Sequence, residues 1–214
     1  MIINNKIYKY INNLINIFEP VYLKNINKIY YNKKDIKMRM MSDNLQGRFL
    51  SLISRLKNPK YILEIGTFLG YSTLCLSEGL KKNGLLITIE KNKKYIYYAK
   101  KNIKTTKYNN NIKLLYGNAL NVIPKLKYNF DIVFIDADKK NNLNYFKLIF
   151  NKVKKNGIII CDNVLWKGKI IYNKADNITK SINKFNNTIK NYKNINSIII
   201  PIRDGLNIII KNKN

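Results

Sequence analysis

The chain holds 214 residues, 46% of them hydrophobic, and carries 40 basic against 12 acidic side chains for a formal charge of +28. That length suits one α/β domain with a buried core, and no composition break marks a second. With no histidine, and with Cys75 and Cys161 far apart and outside any CxxC pattern, neither a zinc cluster nor a disulfide framework is expected.

The N-terminus MIINNKIYKY lacks signal-peptide architecture, and no apolar stretch approaches the roughly 18 residues that cross a bilayer. A soluble protein of a reducing cytoplasm, without a membrane partner, is the expectation. The positive charge is nearly all lysine, scattered among abundant Asn, Ile and Tyr, which share A/T-rich codons. Codon drift explains this scatter better than a dedicated polyanion site, which would gather the lysines into a stripe.

Residues 1–40 read as an N-terminal helical extension, with Ile7, Ile11, Leu14, Ile15 and Phe18 at mixed helical spacing before Pro20 and a lysine- and tyrosine-rich stretch after it. Residues 41–214 form the main domain. From Ser42, the run SDNLQGRFLSLISRL reads as an N-capped amphipathic helix whose Leu45, Phe49, Leu52, Ile53 and Leu56 should pack on a sheet.

Strands are then expected at 60–66, 85–90, 112–116, 130–136 and 157–162, alternating with helices at 71–82, 93–103, 119–126, 140–154 and 177–191. Such alternation predicts a parallel sheet with crossover helices. NSIIIPI and LNIIIK, separated by Asp204 and Gly205, close the chain as a hairpin and bring an antiparallel strand into the sheet.

The scarce acids Glu64, Glu90, Asp136, Asp138 and Asp162 fall where short apolar runs end. In an open α/β sheet, ligands bind beyond the carboxyl ends of the strands, so these acids point to a site for a cation, a ribose or both. YILEIGTFLGYSTL puts Gly66 directly after a strand, Gly70 in the loop and Ser72 at a helix start. It is neither GxGxxG nor a P-loop, which weakens the dinucleotide and nucleoside-triphosphate readings. Glu90, at the next strand end, suits ribose hydroxyls.

This segment resembles motif I of S-adenosylmethionine-dependent methyltransferases, in the form found in the cation-dependent O-methyltransferases related to catechol and caffeoyl-CoA O-methyltransferases. MSDNLQGRFLSLI, YILEIGTFLGYS, LYGNAL, FDIVFIDADK, CDNVLWKG and PIRDG occur in the order that family shows. The resemblance implies a Rossmann-like class I methyltransferase fold, a seven-stranded, mostly parallel sheet with one antiparallel strand and helices on both faces. It also implies a bacterial-type enzyme, and a homodimer.

By position, Ser42, Glu64, Gly66, Thr67 and Ser72 resemble the residues around the methionine part of the cofactor, Glu90 the ribose acid, and Ala119 and Asp138 further cofactor contacts. Ser42, Thr67 and Ser72 can equally cap helices or form turns. Asn118 stands where many relatives carry an acid.

FIDADK and CDN end neighbouring strands, so Asp136, Asp162 and Asn163 can converge on one point. An all-oxygen set favours Mg²⁺, with Mn²⁺ or Ca²⁺ as alternatives, and the same three positions are the family's metal ligands. The resemblance makes Lys139, beside Asp136, the catalytic base; otherwise it is an ordinary helix-start lysine. Trp166 either walls the pocket or packs in the core, and Asp204 is explained by its turn. The expected activity is O-methylation of a catechol-like or vicinal hydroxyl of a small molecule. The alternatives are a hydroxyuridine in tRNA as acceptor, or a non-catalytic basic RNA-binding protein.

Overall fold

A computed structural model describes residues 4–31, 40–172 and 176–212. The stretch 32–39, read above as the tail of the N-terminal extension, lies outside the described residues. Two helices open the chain, α1 (Asn5–Ile15) and α2 (Val21–Tyr30), followed by α3 (Asn44–Lys57). Next come β1 (Tyr61–Ile65), α4 (Tyr71–Ser77), β2 (Leu85–Glu90), α5 (Lys93–Lys104), β3 (Ile112–Tyr116) and α6 (Ala119–Val122). The second half holds β4 (Phe130–Ile135), α7 (Asn142–Phe150), β5 (Val153–Asp162), α8 (Asn177–Lys190), β6 (Ile195–Ile200) and β7 (Leu206–Lys211).

The seven strands lie in the order β3-β2-β1-β4-β5-β7-β6, parallel from β3 to β5, with β7 antiparallel to both its neighbours. The alternation and the terminal hairpin led to this mostly parallel sheet with an antiparallel strand, and the resemblance to its seven strands. Its central strands are near-continuous apolar runs because both faces are covered. On one face Ile62, Leu86, Ile132, Phe134 and Ile160 meet α2, α3, α4 and α5; on the other Leu63, Ile65, Val133, Ile135 and Ile159 meet α6, α7 and α8. Leu23, Ile26 and Tyr30 of α2 are buried in the first of these cores.

Three local expectations change. In α3 the apolar stripe faces inward only in part: Phe49 and Ile53 pack against the core, but Leu52 is 55% and Leu56 75% exposed, while Gln46, Gly47, Leu50, Ser51 and Ser54 are buried. The cause is close helix packing. A Cβ on Gly47 would lie 2.6 Å from the Tyr71 ring, and one on Gly79 2.1 Å from the Ser54 backbone, so small side chains line the contact. Their polar atoms are paired: Ser54 Oγ donates to Leu76 O and Ser51 Oγ to Glu78 Oε2. The α3 cap is Asp43, whose side chain accepts from Gln46 N at 3.0 Å, so Ser42 stands before it.

The helix expected at 71–82 ends at Ser77, ahead of the tight Gly79 approach. The helix expected at 140–154 ends at Phe150, and β5 begins at Val153 because that residue already pairs with Phe130.

Candidate active site

The loop after β1 turns sharply at the carboxyl edge of the sheet. Gly66 has φ +99°, and a Cβ there would lie 2.2 Å from Asp136 O, so no side chain fits where the β1 and β4 ends touch. Phe68 is also left-handed at φ 51°, and its N–H donates to Glu90 Oε2 at 2.9 Å. The other Glu90 oxygen accepts from Asn92 N at 2.9 Å. Each oxygen keeps a lone pair for a ligand.

These elements enclose a cavity of about 820 Å³. Ser42, Gly66, Thr67, Ser72, Glu90 and Ala119 line one part of it, together with the edge-to-face pair Phe68 and Tyr95 (centroids 4.6 Å apart). Ser42 is 3% exposed, and its hydroxyl has no hydrogen-bond partner among the described residues. Asp43 does the capping, so the Ser42 hydroxyl is not spent on the helix end. Asn118 lines the wall while its Oδ1 caps α6 by accepting from Leu120 N.

Glu64 stands apart from this set. It is fully buried, does not line the cavity, and accepts hydroxyl hydrogen bonds from Ser72 and Thr88 at 2.6 Å each and from Thr73. Burial pushes its carboxyl up to about 7 against the pull of those hydroxyls, and the charge of Asp136 adds to the rise. Glu64 therefore sits one layer behind the wall and fixes the Ser72 hydroxyl.

Asp136, Asp138, Lys139 and Asn163 line the same cavity. Ile135 of β4 pairs with Cys161 of β5, so Asp136 and Asp162 follow side by side at the two strand ends. Asp162 is 2% exposed; its Oδ2 accepts from Gln46 Nε2 at 2.9 Å and its Oδ1 from Asn163 N at 2.6 Å. Burial raises its carboxyl to about 6, and the neighbouring Asp136 charge pushes the same way. Lys139 Nζ donates to Asp136 Oδ1 at 2.7 Å. Burial pulls the Lys139 pKa down, but Asp136 and Asp162 outweigh it and raise it, so this lysine is a firmly held ammonium. Asp138 caps the 3-10 turn before α7, accepting from Lys140 N at 3.2 Å.

The donor set suits a hard divalent cation. Two carboxylates that repel each other, half-buried Asp136 on the cavity wall and fully buried Asp162 behind it, adjoin the Asn163 side chain that also lines the wall. Among the described residues no three of His, Cys, Asp and Glu cluster to hold a metal, so soft-metal sites are not offered; the third candidate donor is the Asn163 amide. Sequence reasoning missed Gln46, whose signal is a polar residue within the buried line of an amphipathic helix. Trp166 is half-buried on the cavity wall, and Asp204 accepts from Lys167 N there.

A family model described as O-methyltransferase matches residues 14–212. Catechol O-methyltransferase of Niastella koreensis is 36% identical over 146 residues, spanning 66% of this chain and 66% of that protein. Caffeoyl-CoA O-methyltransferase 2 of Petunia hybrida is 35% identical over 132 residues, spanning 59% of this chain and 54% of its own. The chain thus aligns with less than two thirds of the length of these relatives. Among solved structures, the SAH-bound methyltransferase of Podospora anserina superposes with a TM-score of 0.87 at 26% identity, covering 100% of this chain and 98% of that one. The O-methyltransferase of Bacillus cereus in complex with SAH gives 0.87 at 27%, covering 95% and 96%. With matched residues running through nearly every element that builds the cavity, the chain belongs to the O-methyltransferase family.

Proposed function

We propose that the protein transfers the methyl group of S-adenosylmethionine to one oxygen of a catechol-like or otherwise vicinal small-molecule diol, with a divalent cation at Asp136, Asp162 and Asn163. Mg²⁺ is the first candidate, Mn²⁺ and Ca²⁺ the alternatives. The carrying observation is the pair of adjacent acids at neighbouring strand ends, half-buried Asp136 on the cavity wall and buried Asp162 behind it, at the cavity that the Gly66 loop, the orphaned Ser42 hydroxyl and Glu90 also border. The names of the relatives, catechol and caffeoyl-CoA O-methyltransferase, support the reaction class.

In this reading Glu90 accepts from the ribose hydroxyls of the donor, and Gly66 lets the backbone approach it. Ser42, Thr67, Ser72, Ala119 and Asp138 contact the rest of the donor, and Glu64 acts from behind through Ser72. A bound cation would supply Lewis acidity, lowering the pKa of hydroxyls near it. Lys139 Nζ takes the acceptor's hydroxyl proton after first releasing one of its own to solvent, a loss that would be easier with a cation offsetting the Asp136 and Asp162 charges that hold the ammonium. The carbon–sulfur bond of the donor breaks with its electron pair left on sulfur, and the methyl carbon bonds to the acceptor oxygen.

The exposed lysines Lys91, Lys140 and Lys167 on the cavity lining favour one second reading, a hydroxylated uridine in tRNA as acceptor. Methyl uptake from labelled donor, measured on catechol and on tRNA in parallel, with chelator and with Mg²⁺ restored, separates the readings. Uptake by catechol that stops on chelation supports the first; uptake by tRNA alone replaces it; uptake indifferent to chelator removes the cation. Exposed Leu14, Ile17, Phe18 and Val21 on the N-terminal helices support a homodimer, which sedimentation would test. No helix among the described residues is long and apolar enough to cross a membrane.

A further inference from the structure

Gln46, in the first turn of α3, is fully buried, and its amide joins two distant segments. Nε2 donates to Asp162 Oδ2 at 2.9 Å, and Oε1 accepts from Arg203 Nη1 at 3.0 Å. A guanidinium has no acceptor, so Arg203 can face only the amide oxygen, and the NH₂ end is thereby aimed at Asp162. Arg203 is fixed in turn: Nη1 also donates to Met41 O at 2.8 Å, and Nε lies 3.7 Å from Asp43 Oδ2. Its backbone is left-handed (φ 50°) in the turn between β6 and β7. That turn is stitched to the segment after β5 by Val164 N donating to Gly205 O at 3.1 Å and Leu165 N to Asp204 O at 2.9 Å.

Asp162 thus receives one N–H on each oxygen, from Gln46 and from Asn163 N. Two such bonds fix the plane of the carboxylate and leave each oxygen a further lone pair. We infer that Gln46 is a positioning residue of the divalent-cation site: its amide, with polarity set by Arg203, holds the Asp162 carboxylate in its ligating orientation. The inference rests on the cation reading proposed above. Hydrogen-bond partners of ligating carboxylates tune metal affinity, typically by about tenfold to a hundredfold.

Two variants test it. Gln46→Met keeps the length and removes both hydrogen bonds; Gln46→Asn keeps an amide one methylene too short to reach both partners. Mn²⁺ binding is read by the electron-spin resonance of free Mn²⁺, without donor or acceptor, and S-adenosylhomocysteine binding by calorimetry. Both variants should bind Mn²⁺ about tenfold to a hundredfold more weakly, with S-adenosylhomocysteine affinity within about twofold of wild type. Turnover should recover at saturating Mn²⁺, which a merely structural strut would not allow.

An unchanged Mn²⁺ affinity overturns the role of Gln46 alone, while the cation reading stands. Parallel loss of Mn²⁺ and S-adenosylhomocysteine binding also overturns it, in favour of a structural strut. If the wild-type protein binds no Mn²⁺, the cation reading falls and this inference with it. Should Gln46→Met fail to fold, Gln46→Asn decides.

Discussion

Glu64→Gln changes one buried group and should change the pH dependence of stability in a calculable way. In the folded protein the carboxyl is raised to about 7, from an ordinary value of 4.5, chiefly because it is fully buried. A raised acid binds its proton more tightly folded than unfolded. Its stabilising contribution is therefore complete below pH 4.5 and is lost as pH rises through about 7. A difference of about 2.5 in pKa corresponds to about 3 kcal/mol, at about 1.4 kcal/mol per unit. Glutamine has no such titration. At low pH the variant should be about 1 kcal/mol less stable than wild type, because its amide brings two N–H donors where the protonated carboxyl brings one O–H, against the Ser72, Thr73 and Thr88 hydroxyls that all donate toward it. Above about pH 8 it should have gained about 3 kcal/mol relative to wild type. Urea unfolding in chelator from about pH 5 to 9, with equal m-values, measures the difference. Asp162, raised from 3.8 to about 6, titrates in both proteins and cancels in the comparison. A wild-type-minus-variant stability that stays flat to within about 0.5 kcal/mol across that range would refute the buried-carboxylate account.

Asp162→Ala should abolish divalent-cation binding and cation-stimulated turnover while leaving S-adenosylhomocysteine affinity within about twofold, since the contacts proposed for the donor are other residues, on the cavity wall in front of Asp162; calorimetry with each ligand checks both halves. Glu90→Ala should weaken S-adenosylhomocysteine binding by about tenfold to a hundredfold, the value of a charged hydrogen bond, and a normal dissociation constant would exclude the ribose role. Glu78→Ala should cost about 3 kcal/mol, because Arg48 (14% exposed) pairs with it at 2.7 Å and would be left largely shielded from water without its counter-charge. Thermal melting gives that loss, and a shift of less than about 2 °C would show the clamp between α3 and the end of α4 to be dispensable.

The strands were legible because burial on both faces leaves an apolar run with no competing helical period, and the hairpin because Asp204 and Gly205 interrupt two such runs. The buried face of α3 was legible only in part, at Phe49 and Ile53. Its contact with α4 is set by how closely two backbones approach at Gly47 and Gly79, and an apolar count points to Leu52 and Leu56 instead. At the site, the acids at strand ends were visible, but not the layer each occupies. Whether Glu64 meets a ligand or three hydroxyls depends on side chains from α4 and β2 that fold over it. Lys139 and Asp136 are three residues apart and were read together; the net direction of the lysine's pKa needs Asp162 from another strand. Gln46 and Asp162 are 116 positions apart, beyond any local pattern.

The same composition that makes the lysines uninformative makes the acids informative. Every acid among the described residues accepts a hydrogen bond within the chain. Asp43, Asp138 and Asp176 cap helical turns. Glu19, Glu78 and Asp131 clamp segments together through Tyr71, Arg48 and Lys154. Glu64, Glu90, Asp136, Asp162 and Asp204 line the cavity or back its wall. Asp35 lies outside the described residues. If codon drift spread lysine and asparagine wherever nothing opposed them, acids would persist where losing one strands a buried N–H, hydroxyl or guanidinium, at about 1–3 kcal/mol each. A charge of +28 then carries little information about a polyanionic partner, since scattered lysines attract any polyanion through a salt-sensitive, sequence-independent field. An RNA acceptor would have to reveal itself at the cavity mouth, by saturable methyl uptake that survives salt at which general RNA binding has gone.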